Sequence, residues 1–204
     1  MAYDAKLMPA RTFVRSGEGS IASYDWVDIA EGSGKVLFYG CADSISGATA
    51  YNLMTSQVYS SEIEVKTASA TYDFYTPAFN LPQTIKGTAY INATYLGDNG
   101  GTADTTFQLK LYRAAADFSN ISSVVAGEVV VGAKTTLLAI PCTQTNIKQG
   151  DKIHLIITLK KQAPSNYAYL GTDPQNRDGA GLVPSTDTDI TTKLLVYIPF
   201  RIDL

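Results

Sequence analysis

The feature that most constrains this chain is a strict two-residue period near its carboxyl end. In Lys152–Lys161, Ile153, Leu155, Ile157 and Leu159 alternate with Lys152, His154, Thr158 and Lys160. In Lys193–Asp203, Leu194, Val196, Ile198, Phe200 and Ile202 alternate with Lys193, Tyr197, Arg201 and Asp203. Successive side chains of a strand point to opposite faces, so this spacing predicts strands with one buried and one wetter face. Shorter apolar or alternating runs over Lys35–Tyr39, Tyr51–Met54, Gln57–Lys66, Thr71–Asn80, Thr84–Leu96 and Asp104–Ala114 extend the pattern upstream. Thr71–Asn80 breaks at Pro77, which cannot donate to a ladder and predicts an edge strand or bulge.

Gly97-Asp98-Asn99-Gly100-Gly101 is a turn signal, because Gly and Asn tolerate the positive φ that tight connections demand. It predicts a hairpin of Thr84–Leu96 with Asp104–Ala114, and Gly132 predicts a second one of Val124–Val131 with Thr135–Cys142. No stretch carries a helical stripe, and no segment repeats at a fixed period. Many short strands with Gly, Pro and Asn turns point to an all-β fold, an antiparallel β-sandwich of jelly-roll type.

The expected organisation is an extended amino-terminal arm over residues 1–34, followed by one β-sandwich domain over 35–204. The arm mixes Gly, Ser, Asp and Pro with isolated apolar residues, and Tyr24 and Trp26 are its expected anchors. It either lies on another molecule or covers the domain's own sheet. Between the last two strands, Gly171–Ile190 forms about twenty residues of turn-forming composition; such loops are functional or are insertions packed on the surface.

A chain of 204 residues buries about 70% of its unfolded surface and needs neither metal nor disulfide to cohere. Charged residues are 17% of the total and the net charge is −3, with Lys and Arg spread thinly; the basic footprint of a nucleic-acid binder is absent. No run approaches the roughly 20 apolar residues of a membrane-spanning helix. Residues Met1–Ala10 lack the apolar stretch of a signal peptide, so synthesis in a cytoplasm is expected. Cys41 and Cys142 are expected as two reduced thiols, because two cysteines make no disulfide framework. Thirteen tyrosines suit large contact surfaces, since each offers an apolar body and a polar tip.

No catalytic constellation emerges. His154 is the one histidine; its place on the polar face of a regular strand predicts a solvated or interface side chain, and no Gly-x-Ser-x-Gly elbow accompanies it. Gly32-Ser33-Gly34-Lys35 fails as a phosphate loop, with Ile29 where the first glycine belongs and Val36 where the metal-binding hydroxyl belongs. Asp98 and the group Asp173, Asp178, Asp187 and Asp189 match no spaced calcium loop and suit turn chemistry. Neither a metal nor a cofactor is expected. Paired carboxylates of a hydrolase have no signature that spacing alone would reveal.

Thr106–Arg113, Leu138–Thr145, Ile147–Leu155, Leu194–Asp203 and Tyr24–Gly32 resemble strand-and-turn patterns of virion proteins of tailed bacteriophages, over about two thirds of the chain. The resemblance implies a jelly-roll subunit of capsid-decoration, head-fibre or tail-associated type, non-enzymatic and homo-oligomeric. Its partners would be the major capsid protein or other virion proteins, with neither nucleic acid nor membrane bound, and its location the virion. It transfers no functional residue. The competing expectation is a carbohydrate- or receptor-binding module of a tail or head fibre that takes surface glycans. Tyr167, Tyr169, Asp173, Asn176 and Arg177, around the long loop, are its candidate stacking and hydrogen-bonding groups.

Overall fold

The computed structural model describes residues 11–14, 21–24, 33–44, 50–57, 64–66, 70–97, 105–125, 129–131, 135–161, 168–175 and 193–201. Every regular element among them is a strand. In chain order these are β1 (Arg11–Val14), β2 (Ile21–Tyr24), β3 (Ser33–Ser44), β4 (Tyr51–Met54), β5 (Glu64–Lys66), β6 (Ala70–Tyr75) and β7 (Gln83–Gly97). They continue with β8 (Thr105–Ala114), β9 (Asn120–Ser123), β10 (Val129–Val131), β11 (Thr135–Ile147), β12 (Lys152–Lys161), β13 (Ala168–Leu170) and β14 (Leu194–Arg201). The all-β expectation stands, and pairing is antiparallel except between β4 and β6.

Hydrogen bonding runs in the order β10-β8-β12-β6-β4-β3-β14-β7-β13-β5, with β11 on β7, β9 on β8 and β2 on β3. The two facing layers are therefore regions of one curled sheet. One layer is built on β8, β12 and β6, the other on β3, β14, β7 and β11. Residues 124–125 link β8 of one layer to β11, which pairs with β7 of the other. Val124 N donates to Leu111 O of β8 at 2.8 Å, and Thr143 N of β11 donates to Val124 O at 2.7 Å. Val125 bridges Cys142. Two backbone bonds thus nearly close the sheet into a barrel and satisfy edge groups that would otherwise face water.

The alternation read from the sequence fills the interior. Ile153, Leu155, Ile157 and Leu159 of β12 are fully buried, as are Leu194, Val196 and Ile198 of β14. Each such side chain gains about 1.5–3 kcal/mol from leaving water. Phe107, Leu109 and Leu111 of β8 face Ile85, Ala89 and Ile91 of β7 within the same core cluster or its immediate packing. β7 also carries a bulge: Tyr197 and Phe200 of β14 pair with Tyr90 and Ile85, so the residues around Gly87, at φ 118°, outnumber those opposite.

Three local expectations are corrected. β7 and β8 do not pair; β7 pairs with β11, β14 and β13, and β8 with β12, β9 and β10. Both strands carry an apolar row, which a neighbour in the same layer or a row across the core can satisfy; the turn composition says only that the chain reverses, and residues 98–101 lie outside the described residues. β10 likewise pairs with β8 and not with β11. β6 is no edge strand, because it lies between β12 and β4, and Pro77 falls beyond its last residue. In the amino-terminal region, β1 pairs with β2, and Ala22 and Ser23 of β2 pair with Val36 and Lys35, so this part of the expected arm adds to the domain's own sheet. Cys41 and Cys142 are not joined in a disulfide, and burial pushes the Cys142 thiol up from its ordinary value.

Candidate functional site

The outer face of the β6–β12–β8 layer bears a polar cluster centred on a buried histidine, His154. On β12 the residues between the core-facing ones point outward, so His154 shares a face with Lys152, Ile156 and Thr158. Register sets its neighbours: Tyr75 of β6 and Tyr112 of β8 lie directly opposite on either side. His154 is nevertheless only 3% exposed. The Tyr75 ring lies face-on to the imidazole, 4.0 Å between centroids and 14° between planes, and the loop between β8 and β9 packs beside it.

Both ring nitrogens have oxygen partners. Nε2 lies 2.9 Å from Asp73 Oδ1, and Nδ1 lies 2.7 Å from Asn120 Oδ1. A histidine oriented by a carboxylate is the arrangement of a general base, but a base needs its second nitrogen open to a hydroxyl or a water. Here that nitrogen is on Asn120. Tyr75 carries the electrostatic mark of the site: burial, then the Asp73 carboxylate, raises its phenol above the ordinary value.

The covering loop is unusual in its backbone. Residues 115–119 form a tight connection in which Phe118 N donates to Ala115 O at 3.0 Å and Ala115 N to Ser119 O at 2.8 Å. Phe118 occupies the left-handed position at φ 71°, a place that hairpin loops of this kind give to Gly or Asn. Its ring stands edge-on to Tyr75, 4.8 Å between centroids at 83°, and the Lys152 ammonium lies 3.6 Å from its centre. Loss of hydration at that contact lowers the Lys152 ammonium below its ordinary value. Asp117 accepts from the Ser119 hydroxyl at 2.6 Å and from its N–H at 3.1 Å. These bonds hold the Asp117 carboxyl below its ordinary value.

A second buried charge braces the cluster from below. Asp151, 7% exposed, accepts from Arg113 Nε at 2.6 Å and from Lys148 N at 2.6 Å. Arg113 precedes the covering loop and Asp151 closes the turn into β12, so one carboxylate ties the two connections together.

The expected solvated histidine is thus corrected: His154 does point away from the core, but a loop and two tyrosines cover it. Asp73, Tyr75, Phe118 and Asn120 were not singled out by sequence reasoning. The available signal was the Ala115–Asn120 stretch, in which a Phe stands inside a turn where a small or polar residue is usual. Asp173 is fully buried and accepts from Gln175 N at 3.0 Å, which is turn chemistry. Tyr169 sits in β13, where its backbone pairs with Val65 and Leu96, and Tyr24 sits in β2 opposite Arg11. Trp26, Tyr167, Asn176 and Arg177 lie outside the described residues. Among the described residues no three His, Cys, Asp or Glu side chains converge as a metal would require.

No family model and no curated protein matches the chain. Solved structures do. Two crystal structures of a CocE/NonD family hydrolase from Staphylococcus aureus superpose with TM-scores of 0.52 and 0.53, at 9% and 10% identity. Each covers 98% of this chain and 43% of the hydrolase. An α-amino acid ester hydrolase aligns at a TM-score of 0.49 and 8% identity, over 81% of this chain and 36% of that one. The likeness is one of fold. It corrects the expectation of a non-enzymatic virion subunit, whether capsid decoration or a carbohydrate- or receptor-binding fibre module, and with it the exclusion of an enzyme. The alternation and tyrosine content behind that expectation specify a curled β-sheet and not its use, and hydrolases carry such a sheet along nearly the whole length of this chain.

Proposed function

We propose that this chain is the β module of a hydrolase, acting beside a catalytic unit that it supports. The supporting observation is the asymmetry of the fold likeness: 98% of this chain corresponds to 43% of a CocE/NonD family hydrolase. The chain spans less than half the length of that protein, and more than half of the hydrolase has no counterpart in it. The geometry at His154 agrees with a supporting part. The imidazole has an orienting carboxylate in Asp73, yet Asn120 occupies the nitrogen that a nucleophile would need.

The test is hydrolysis of chromogenic esters and amides by the assembly that co-purifies with the tagged chain from its source. Turnover is expected to co-elute with the chain in size-exclusion chromatography and to fall when the chain is depleted. An assembly containing the chain and devoid of hydrolytic turnover would sink the reading. Turnover by the isolated chain that disappears in Asp73→Asn would move the chemistry onto the His154–Asp73 pair instead.

A further inference from the structure

We propose that His154 is a protonation-dependent clasp: its charged ring ties the β8–β9 loop to strand β6, and its neutral ring releases one of the two ties. This stands on the cluster alone and is independent of the hydrolase reading.

The two groups facing the ring are both oxygens, Asp73 Oδ1 on β6 at 2.9 Å and Asn120 Oδ1 at the start of β9 at 2.7 Å. A neutral imidazole has one N–H and one bare lone pair, so it satisfies only one of them; the imidazolium donates to both. Tyr75 favours the charged ring a second time, because it presents its π face to the imidazole at 4.0 Å, and a cation over an aromatic face is attracted by the ring quadrupole. The ionisable groups around the ring are named readily among the described residues. β6 supplies Asp73 and Tyr75, β8 supplies Tyr112 at 6.2 Å between centroids, and β12 itself supplies Lys152. Asp73 is the carboxylate in contact with the ring, and Lys152 opposes it with its charge directed onto the Phe118 ring.

The tie matters because of what it holds down. Phe118 keeps its backbone at φ 71°, a region that costs a bulky residue free energy unless its surroundings impose it. Apart from the Asn120–His154 bond, the loop reaches the body through the Phe118 ring on Tyr75, Lys152 over that ring, and a long 3.4 Å bond from Tyr75 Oη to Phe118 O. When the ring gives up its Nδ1 proton to solvent, Asn120 Oδ1 faces a lone pair at 2.7 Å, and the contact becomes repulsive. The loop is then free to lift off His154. Histidine is the side chain whose unperturbed charge change falls between roughly pH 5 and 8. The sign follows directly: the tie is present while the ring is charged and is lost as pH rises through its titration.

The experiment is nitrogen-15 NMR of the single imidazole in the full chain from acid to mildly alkaline pH, with amide hydrogen exchange at Ala115 and Phe118. Both ring nitrogens are expected to carry protons at the acid end. The protection factors of the two amides should fall about tenfold as one proton leaves, and the fall should be absent in His154→Gln. Asp73→Asn keeps the histidine and should move the transition to lower pH by removing the favourable charge. A ring that is neutral with its lone pair on Nδ1 throughout the range would overturn the proposal, since the Asn120 amide would then be turned to donate. So would loop protection that does not follow the ring.

Discussion

Among the described residues, two connections place a residue in the left-handed region, and they solve the problem in opposite ways. Between β11 and β12 the residue is Gly150, at φ 87°, with no atom within 4 Å of where a Cβ would stand. Between β8 and β9 it is Phe118, at φ 71°, with its ring on Tyr75 and under Lys152. The Gly150 turn is held by backbone bonds and by its own carboxylate: Gly150 N donates to Phe79 O at 2.9 Å, Phe79 N to Asp151 O at 2.8 Å, Asp151 N to Lys148 O at 3.1 Å, and Lys148 N to Asp151 Oδ2 at 2.6 Å. The Phe118 turn is held in addition by side chains that belong to neighbouring strands. The ties of the Gly150 turn do not include the His154 ring, whereas a turn held by side chains of neighbouring strands can answer to them.

The strongest way to break the comparison is to remove the group both turns share. Asp151→Ala would leave the Arg113 guanidinium without its carboxylate and the Lys148 N–H without its acceptor, in a setting where Asp151 is 7% exposed. Breaking a buried pair from one side costs about 3 kcal/mol, which urea denaturation at neutral pH would read directly. A loss below about 1 kcal/mol would mean that water replaces the carboxylate and that the turns are not coupled. Next in size is Phe118→Ala, which deletes the ring contacts but keeps a Cβ at positive φ; a loss of about 2 kcal/mol is expected. Phe118→Gly deletes the same contacts and relieves the backbone, so it should be about 1 kcal/mol less harmful than the alanine variant. Equal losses would show that the left-handed position carries no strain. Gly150→Ala then sharpens the contrast: with open space around the new methyl, the cost is backbone strain alone, about 1 kcal/mol, read again by urea.

These two turns also show where sequence reading succeeds and where it stops. The β12 and β14 strands were legible because one face of each is fully buried, and burial writes itself into the sequence as a period of two. Lateral pairing was not, since an apolar row on β7 is satisfied equally by a hairpin partner or by a row across the core, and the choice is made by the whole set of strands. The candidate site was half legible. His154 was seen as the lone imidazole on an outward position, but its burial depends on Asp73, Tyr75 and Asn120, which stand 81, 79 and 34 residues away and meet it only through register. The loop that covers it is marked in the sequence by a Phe among Ala, Asp, Ser and Asn, which reads as an exposed apolar residue until its partners are known.

The smallest expected effect isolates the loop's own chemistry from its docking. Asp117 is fully exposed, and its carboxyl is held below the ordinary 3.8 by the Ser119 hydroxyl first and the Ser119 N–H second. A carboxyl depressed in the folded state contributes its stabilisation above the unfolded value and loses it as pH falls through the folded one. The contribution is therefore complete at neutral pH and disappears only in acid. The amide shift of Ser119 should follow this titration with a midpoint below 3.8, and Ser119→Ala should raise that midpoint by removing the larger of the two bonds while the backbone bond persists. If the Ser119 amide instead follows the imidazole and ignores the carboxyl, the loop is shaped from outside rather than by its own Asp117. The contrast with the Gly150 turn would then be greater than the hydrogen bonds suggest, because even the local cap of the Phe118 turn would depend on the strands beneath it.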